Sequence, residues 1–228
     1  MKKLIILFFI FCAVLVHAQR TVIDLNGTWQ FDRTEKAFPP KKFSRTIPVP
    51  GLIHLAIPKI DDYDIWFKKP EATEEKFTHG VYDIDYTPRY SWYKKVIRID
   101  KKHEASELLL RIKKSQYVTQ VYINGIDMGT SIDCYTPIEI PITRAIKFED
   151  NNEILIKVGD RFWLPPQAAG STDKEKEHYL PGIWDDVELI VSGKVQVNNT
   201  LFLPDAKKWE STGKSKTEKL LSTTDLWR

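Results

Sequence analysis

Apolar and polar positions alternate with a period of two over much of the chain. Thr28-Trp29-Gln30-Phe31 alternates, and so does Val118-Thr119-Gln120-Val121-Tyr122-Ile123. In the run from Ser91 to Ile99, Tyr93, Lys95, Ile97 and Ile99 fall on one face, and Trp92, Lys94, Val96 and Arg98 on the other. Leu108 to Ile112, Ile138 to Ile142, Ile154 to Val158 and Val187 to Val191 are short apolar runs. Each is rich in Val, Ile, Leu, Tyr or Trp and bounded by turn residues, which predicts strands. Asn124-Gly125 lies between Val121-Tyr122-Ile123 and Ile126-Asp127-Met128. Both central residues of the favoured two-residue turn need positive φ, so this pair predicts a hairpin. Helical periodicity is nearly absent and no internal repeat is visible. Many short strands without helices predict an all-β sandwich or jelly roll over residues 20 to 192.

Two long segments interrupt the strands. Pro50 to Pro88 carries Gly51, Pro58, Pro70, Gly80 and many charges, and Trp163 to Gly182 carries Pro165, Pro166, Gly170, Pro181 and the charged stretch Asp173 to Glu177. Structureless loops of this length in a compact domain are usually functional or disordered. The character shifts after Gly193. Lys194 to Phe202 suits one more strand, and Pro204 to Arg228 is polar, rich in Lys, Ser and Thr, and aperiodic. Residues 193–228 therefore read as a disordered tail or as the cut-short start of another domain.

The first residues stand outside this pattern. Met1-Lys2-Lys3 is basic, Leu4 to Val16 is apolar and uncharged, and Val16-His17-Ala18 has the small residues of a cleavage site. That is a secretory signal peptide over 1–18, with the mature chain starting at Gln19 in the periplasm or outside the cell. The apolar run is shorter than the ~18 residues a spanning helix needs, so no membrane span is expected after cleavage. Cys12 lacks the small residues upstream that lipid attachment requires. Removing 18 of the 228 residues leaves 210, enough for one sizeable β domain. Lys2 and Lys3 supply two of the three net positive charges, so nothing argues for nucleic acid or an anionic membrane. Cys134 is then the one remaining thiol, so no internal disulfide is expected.

Six segments, in order, resemble the N-terminal domain of family 2 glycoside hydrolases, the family of β-galactosidases, β-glucuronidases and β-mannosidases. They are Leu25-Asn26-Gly27-Thr28-Trp29-Gln30-Phe31, Ile47-Pro48-Val49-Pro50-Gly51-Leu52-Ile53-His54, Tyr90-Ser91-Trp92-Tyr93-Lys94-Lys95, Val121-Tyr122-Ile123-Asn124-Gly125 with Gly129, Asn152 to Val158, and Gly182-Ile183-Trp184-Asp185-Asp186-Val187. The resemblance implies a galactose-binding-domain-like jelly-roll sandwich over 19–192. It also implies a role as the sugar-binding part of a secreted glycosidase whose catalytic barrel lies elsewhere. Tyr179 and Leu180 stand where many members carry an arginine before Gly-Ile-Trp, and Asp185 where many carry one after it. Those arginines help hold the loop against the barrel or the substrate region.

Retaining glycosidases need two carboxylates about 5–5.5 Å apart. In the family both are glutamates of a TIM barrel, a fold of roughly 200 residues or more. No position here inherits either role, so no catalytic residue is assigned and the chain alone is expected to be inactive. His54, His79, His103 and His178 are scattered without metal-ligand spacing, and no cofactor or metal is expected. Asp61-Asp62-Tyr63-Asp64 reads as a charged surface turn before it reads as a calcium loop. Trp29, Trp92 and Trp184 sit in strand-like signatures and read as core. Trp66, Phe67, Phe162 and Trp163 lie at the long loops, where aromatic rings can stack on the flat C–H faces of sugars. Asp64, Trp66, Trp163, His178 and Tyr179 are the ligand candidates for an oligosaccharide or glycan. A stand-alone, non-catalytic carbohydrate-binding module and a purely structural sandwich are the competing readings.

Overall fold

The computed structural model describes residues 20–60, 89–160, 163–165, 167–168, 180–205 and 210–219; over 195–205 and 210–219 it describes the backbone alone. Two antiparallel sheets build the fold. One has four strands in the order β1 (Thr21–Asp24), β13 (Val187–Ser192), β6 (Glu107–Ile112), β10 (Ile138–Pro141). The other has six, in the order β3 (Arg45–Val49), β2 (Gly27–Thr34), β5 (Tyr90–Arg98), β11 (Asn151–Gly159), β8 (Thr119–Ile123), β9 (Ile126–Ser131). No α-helix occurs among the described residues, and none is long and apolar enough to cross a membrane.

The alternation in the sequence becomes the two faces of each sheet. Trp29, Phe31, Tyr93, Val121, Ile123, Ile154, Ile156 and Val158 face inward from the six-stranded sheet. They share one buried cluster with Leu108, Leu110, Ile112, Ile138, Ile140, Val187, Leu189 and Val191 of the four-stranded sheet. Each such side chain removed from water contributes about 1.5–3 kcal/mol. Within the cluster Phe31 meets Tyr93 edge to face at 5.0 Å. The Trp29 indole N–H donates to the Leu25 carbonyl at 2.9 Å, so the ring enters the core without leaving a donor unpaired. The chain is thus an all-β sandwich.

The two long interruptions are not open loops at their described ends. A small sheet in the order β4 (Gly51–Leu52), β12 (Gly182–Ile183), β7 (Ser115–Gln116) ties them together. Ile53, Ala56, Ile60, Leu164, Ala168 and Leu180 all join the core. Proline and charge content concealed this in the sequence: the side chains that pack there do not follow the period-two alternation that marks the longer strands. Beyond Gly193, β14 (Val195–Asp205) pairs antiparallel with β15 (Glu210–Lys219), where the sequence announces a strand only as far as Phe202.

The Asn124-Gly125 hairpin forms as expected, with φ of 52° and 80°. Its asparagine does more than turn. Asn124 Nδ2 donates to the Ala145 carbonyl (2.7 Å) and to Asn152 Oδ1 (2.9 Å), and Asn124 Oδ1 accepts from the Glu153 amide (3.0 Å). Asn152, fully buried, also accepts from the Lys147 amide (2.7 Å) and donates to the carbonyls of Lys147 (2.7 Å) and Asp150 (3.0 Å). Asn152→Ala strands these buried groups and is expected to lower stability by about 2–3 kcal/mol in urea unfolding. A loss below ~0.5 kcal/mol contradicts the network's role.

Asp32 fastens the β2–β3 connection. It accepts from Ser44 N (2.9 Å) and Oγ (2.7 Å), Arg33 N (2.9 Å) and Arg45 Nη1 (2.8 Å). Burial alone raises its pKa, but these donors and the Arg45 charge outweigh burial and hold the carboxyl below its ordinary value. Because the folded pKa is depressed, the stabilisation is complete above the unfolded value of ~3.9 and is lost as pH falls through the folded one. Asp32→Asn is therefore expected to be less stable at pH 7 and to show a flatter loss below about pH 4 in thermal melts across pH.

Candidate functional site

Side chains that point away from the core form a surface of their own on the six-stranded sheet. Cross-strand register places Thr34, Tyr90 and Gly159 in one row, Asp32, Trp92, Lys157 and Gln120 in the next, and Gln30, Lys94, Leu155 and Tyr122 in the third. Trp92 is 1% exposed yet lies outside the core cluster, so its burial is on this outer face. Its indole N–H donates to Thr34 Oγ1 at 2.8 Å, and its ring lies 6.2 Å from Tyr122.

Trp163 comes onto this surface from the segment after β11. Its indole stacks on Tyr90 with centroids 4.8 Å apart and planes within 14° of parallel. The row has room for it because residue 159 is glycine: a Cβ there would stand 3.0 Å from Trp163 Cδ1. The tryptophan remains 42% exposed. Lys157 extends its ammonium over both Tyr90 (5.1 Å) and Trp92 (5.8 Å). Burial lowers the Lys157 pKa from its ordinary value. Burial, and then the Asp160 charge, raise that of the Tyr90 phenol, which stays neutral at physiological pH.

Asp160 fixes the position of this end of the surface. It is 0% exposed and receives Arg33 Nη2 at 3.1 and 3.2 Å and the Arg89 amide at 2.7 Å. The Asp160 amide donates to the Arg89 carbonyl (3.1 Å), and the Trp163 amide donates to the Asp160 carbonyl (3.0 Å). Arg89 borders the first long interruption and Asp160 the second, so one buried aspartate, charge-paired with Arg33 and bonded to the Arg89 backbone, holds the roots of both.

Of the five ligand candidates named from sequence, Trp163 stands in this surface. Asp64, Trp66, His178 and Tyr179 lie outside the described residues. Tyr90, Lys157, Gly159, Arg33 and Asp160 were not singled out. A lysine inside the apolar run Ile154 to Val158, followed by Gly-Asp at its end, was the available signal. Trp184, read as core, is instead 36% exposed, with Lys114 4.9 Å above its ring. Its place in a strand signature did not say which way it faces.

The arrangement suits binding through flat apolar contact. The nearby carboxylates already have partners: Asp160 with Arg33, Asp32 with Arg45, Glu153 with Lys94, and Asp127 with the Gln120 amide at 2.7 Å. Arg33→Met leaves the Asp160 charge buried and is expected to cost about 3–5 kcal/mol in denaturant unfolding, with Arg33→Met/Asp160→Leu recovering much of it. Additive losses in the double variant contradict a coupled pair.

No family model matches the chain. Among curated proteins, it is 32% identical to a β-galactosidase of Thermoanaerobacter pseudethanolicus over 142 residues, covering 60% of this chain and 18% of that one. It is 28% identical to a β-glucuronidase of Formosa agariphila over 164 residues (65% and 15%). It is 25% identical to the β-galactosidase large subunit of Latilactobacillus sakei over 214 residues (85% and 33%). The chain thus spans between 15% and 33% of the length of these relatives. Among solved structures, an uncultured Clostridium sp. β-glucuronidase matches 89% of this chain with 35% of its own, at TM-score 0.58 and 17% identity. A β-glucuronidase from glycoside hydrolase family 2 matches 90% with 26% of its own, at TM-score 0.60 and 15% identity. The chain is a relative of the family 2 glycoside hydrolases and shares the fold of one part of them.

Proposed function

We propose that this chain is the N-terminal sugar-binding jelly-roll domain of an exported family 2 glycoside hydrolase, and that it holds a glycan while a separate barrel domain carries out hydrolysis. The observation that carries the binding role is the Trp163–Tyr90 stack on the outer face of the sheet, its indole 42% exposed. The C–H face of a pyranose packs on such a surface, and nearby polar groups orient it. Asp64, Trp66, His178 and Tyr179 are proposed to complete the ligand contacts from the two long segments. The partial coverage of the relatives supports a companion domain against which this one packs. Export through residues 1–18, with processing after Ala18, is part of the same reading.

The test is affinity electrophoresis and calorimetry of the chain from Gln19 onward against a panel of polysaccharides. Binding by the wild type is expected, with Trp163→Ala weakening it roughly 10- to 30-fold, as loss of an aromatic anchor does. Hydrolysis of aryl glycosides by this chain alone contradicts the division of labour, and equal affinity of wild type and Trp163→Ala contradicts the site.

A further inference from the structure

The partly covered lysines of the described sheets almost all have a carboxylate or carbonyl acceptor. Lys94 pairs with Glu153, and Lys113 with Asp186 (2.7 Å) and Glu188 (3.0 Å). Lys114 pairs with Asp185 (3.4 Å), and Lys95 donates to the carbonyls of Leu25 (2.7 Å) and Asn26 (3.0 Å). Lys157 differs. Its ammonium rests on the Tyr90 and Trp92 rings, and no carboxylate or carbonyl among the described residues accepts from it. The carboxylate whose field reaches it, Asp127, already accepts from Gln120 Nε2 (2.7 Å) and the Gly129 amide (2.9 Å). Ring faces attract a cation but do not take the place of a directed acceptor, so the three ammonium hydrogens have none among the described residues. An anion there would gain charge-assisted hydrogen bonds in a partly desolvated setting, where they are strongest.

Position completes the argument. Lys157 and Gly159 lie two residues apart on one face of β11, about 7 Å along the strand. The Trp163 indole lies over Gly159. Tyr90 joins the two: the indole stacks on its ring, and the ammonium lies 5.1 Å from the centroid of the same ring, so the aromatic contact and the charge share one neighbourhood. Gln120 lies directly across from Lys157 on the neighbouring strand, its amide donating to Asp127.

We infer that the Trp163–Tyr90–Lys157 surface selects a glycan bearing an anionic substituent, a carboxylate or a sulfate ester, with Lys157 as the group that reads the charge. This rests on the glycan-binding reading of the same surface.

The experiment measures binding of the chain from Gln19 onward to matched polysaccharides. Polygalacturonate is set against its methyl ester, and carrageenan against agarose. Preference for the charged member of either pair is expected, and which pair shows it distinguishes carboxylate from sulfate. Lys157→Met, which keeps an apolar stem over the rings, is expected to weaken binding of the charged member about tenfold and to reduce its salt dependence. The neutral member should lose less affinity than the charged one. Equal wild-type binding within both pairs, a readout independent of any variant, overturns the inference while leaving glycan binding in place. So does a charged-member affinity that Lys157→Met does not alter. Absence of binding to all four polysaccharides overturns the glycan-binding reading itself.

Discussion

Taking a carboxylate fully out of water costs several kcal/mol unless its charge and lone pairs are met. At Asp160 they are met by the Arg33 guanidinium and the Arg89 amide. The arrangement of this end of the molecule depends on that single group. Arg33 belongs to β2, Arg89 precedes β5, and Asp160 follows β11, so the pair ties three strands of the six-stranded sheet at one point. The Asp160 carbonyl then receives the Trp163 amide, which sets where the indole can lie. Removing the ion pair would leave the hydrophobic core largely intact, but not the geometry of the surface beside it.

The six-stranded sheet serves two solvents. Its inner face is packed with Trp29, Phe31, Tyr93, Ile154, Ile156 and Val158, and its stability comes from burial. Its outer face carries aromatics that are only partly satisfied: Trp92 is covered, Tyr90 and Tyr122 are half-covered, and Trp163 is open. Stacking and cation–π contacts of about 0.5–1.5 kcal/mol each hold those rings in place without closing them off. Rings already held by their neighbours lose little conformational freedom on any later contact.

Period-two alternation is a local property, and it located β2, β5 and β8 from the sequence alone, while short apolar runs located β6, β10, β11 and β13. The Asn124-Gly125 turn was equally legible, because the need for positive φ at both positions restricts the residue types. Four-residue β1 and two-residue β4, β7 and β12 are too short to show a period, and their partners are distant in the chain. The site was harder for the same reason. Arg33 and Asp160 are 127 residues apart, and neither looks unusual in its own segment. Trp163 was recognisable as an aromatic at a long interruption. That it would settle over a glycine on a neighbouring strand depended on the sheet's register. Trp184 shows the converse: a residue type in a strand-like signature gives no sidedness until its partners are known.

The shared root of the two long segments also bears on how such a domain diversifies. The ends of each segment are set by Arg89, Asp160 and the β4–β12 pairing, not by what lies between. The entropic cost of lengthening a closed loop grows only with the logarithm of its length. Insertions, deletions and exchanges between these anchor points can therefore alter what meets a ligand while the sandwich beneath keeps its register. Natural variation, and any deliberate grafting of new segments, has its natural boundaries there.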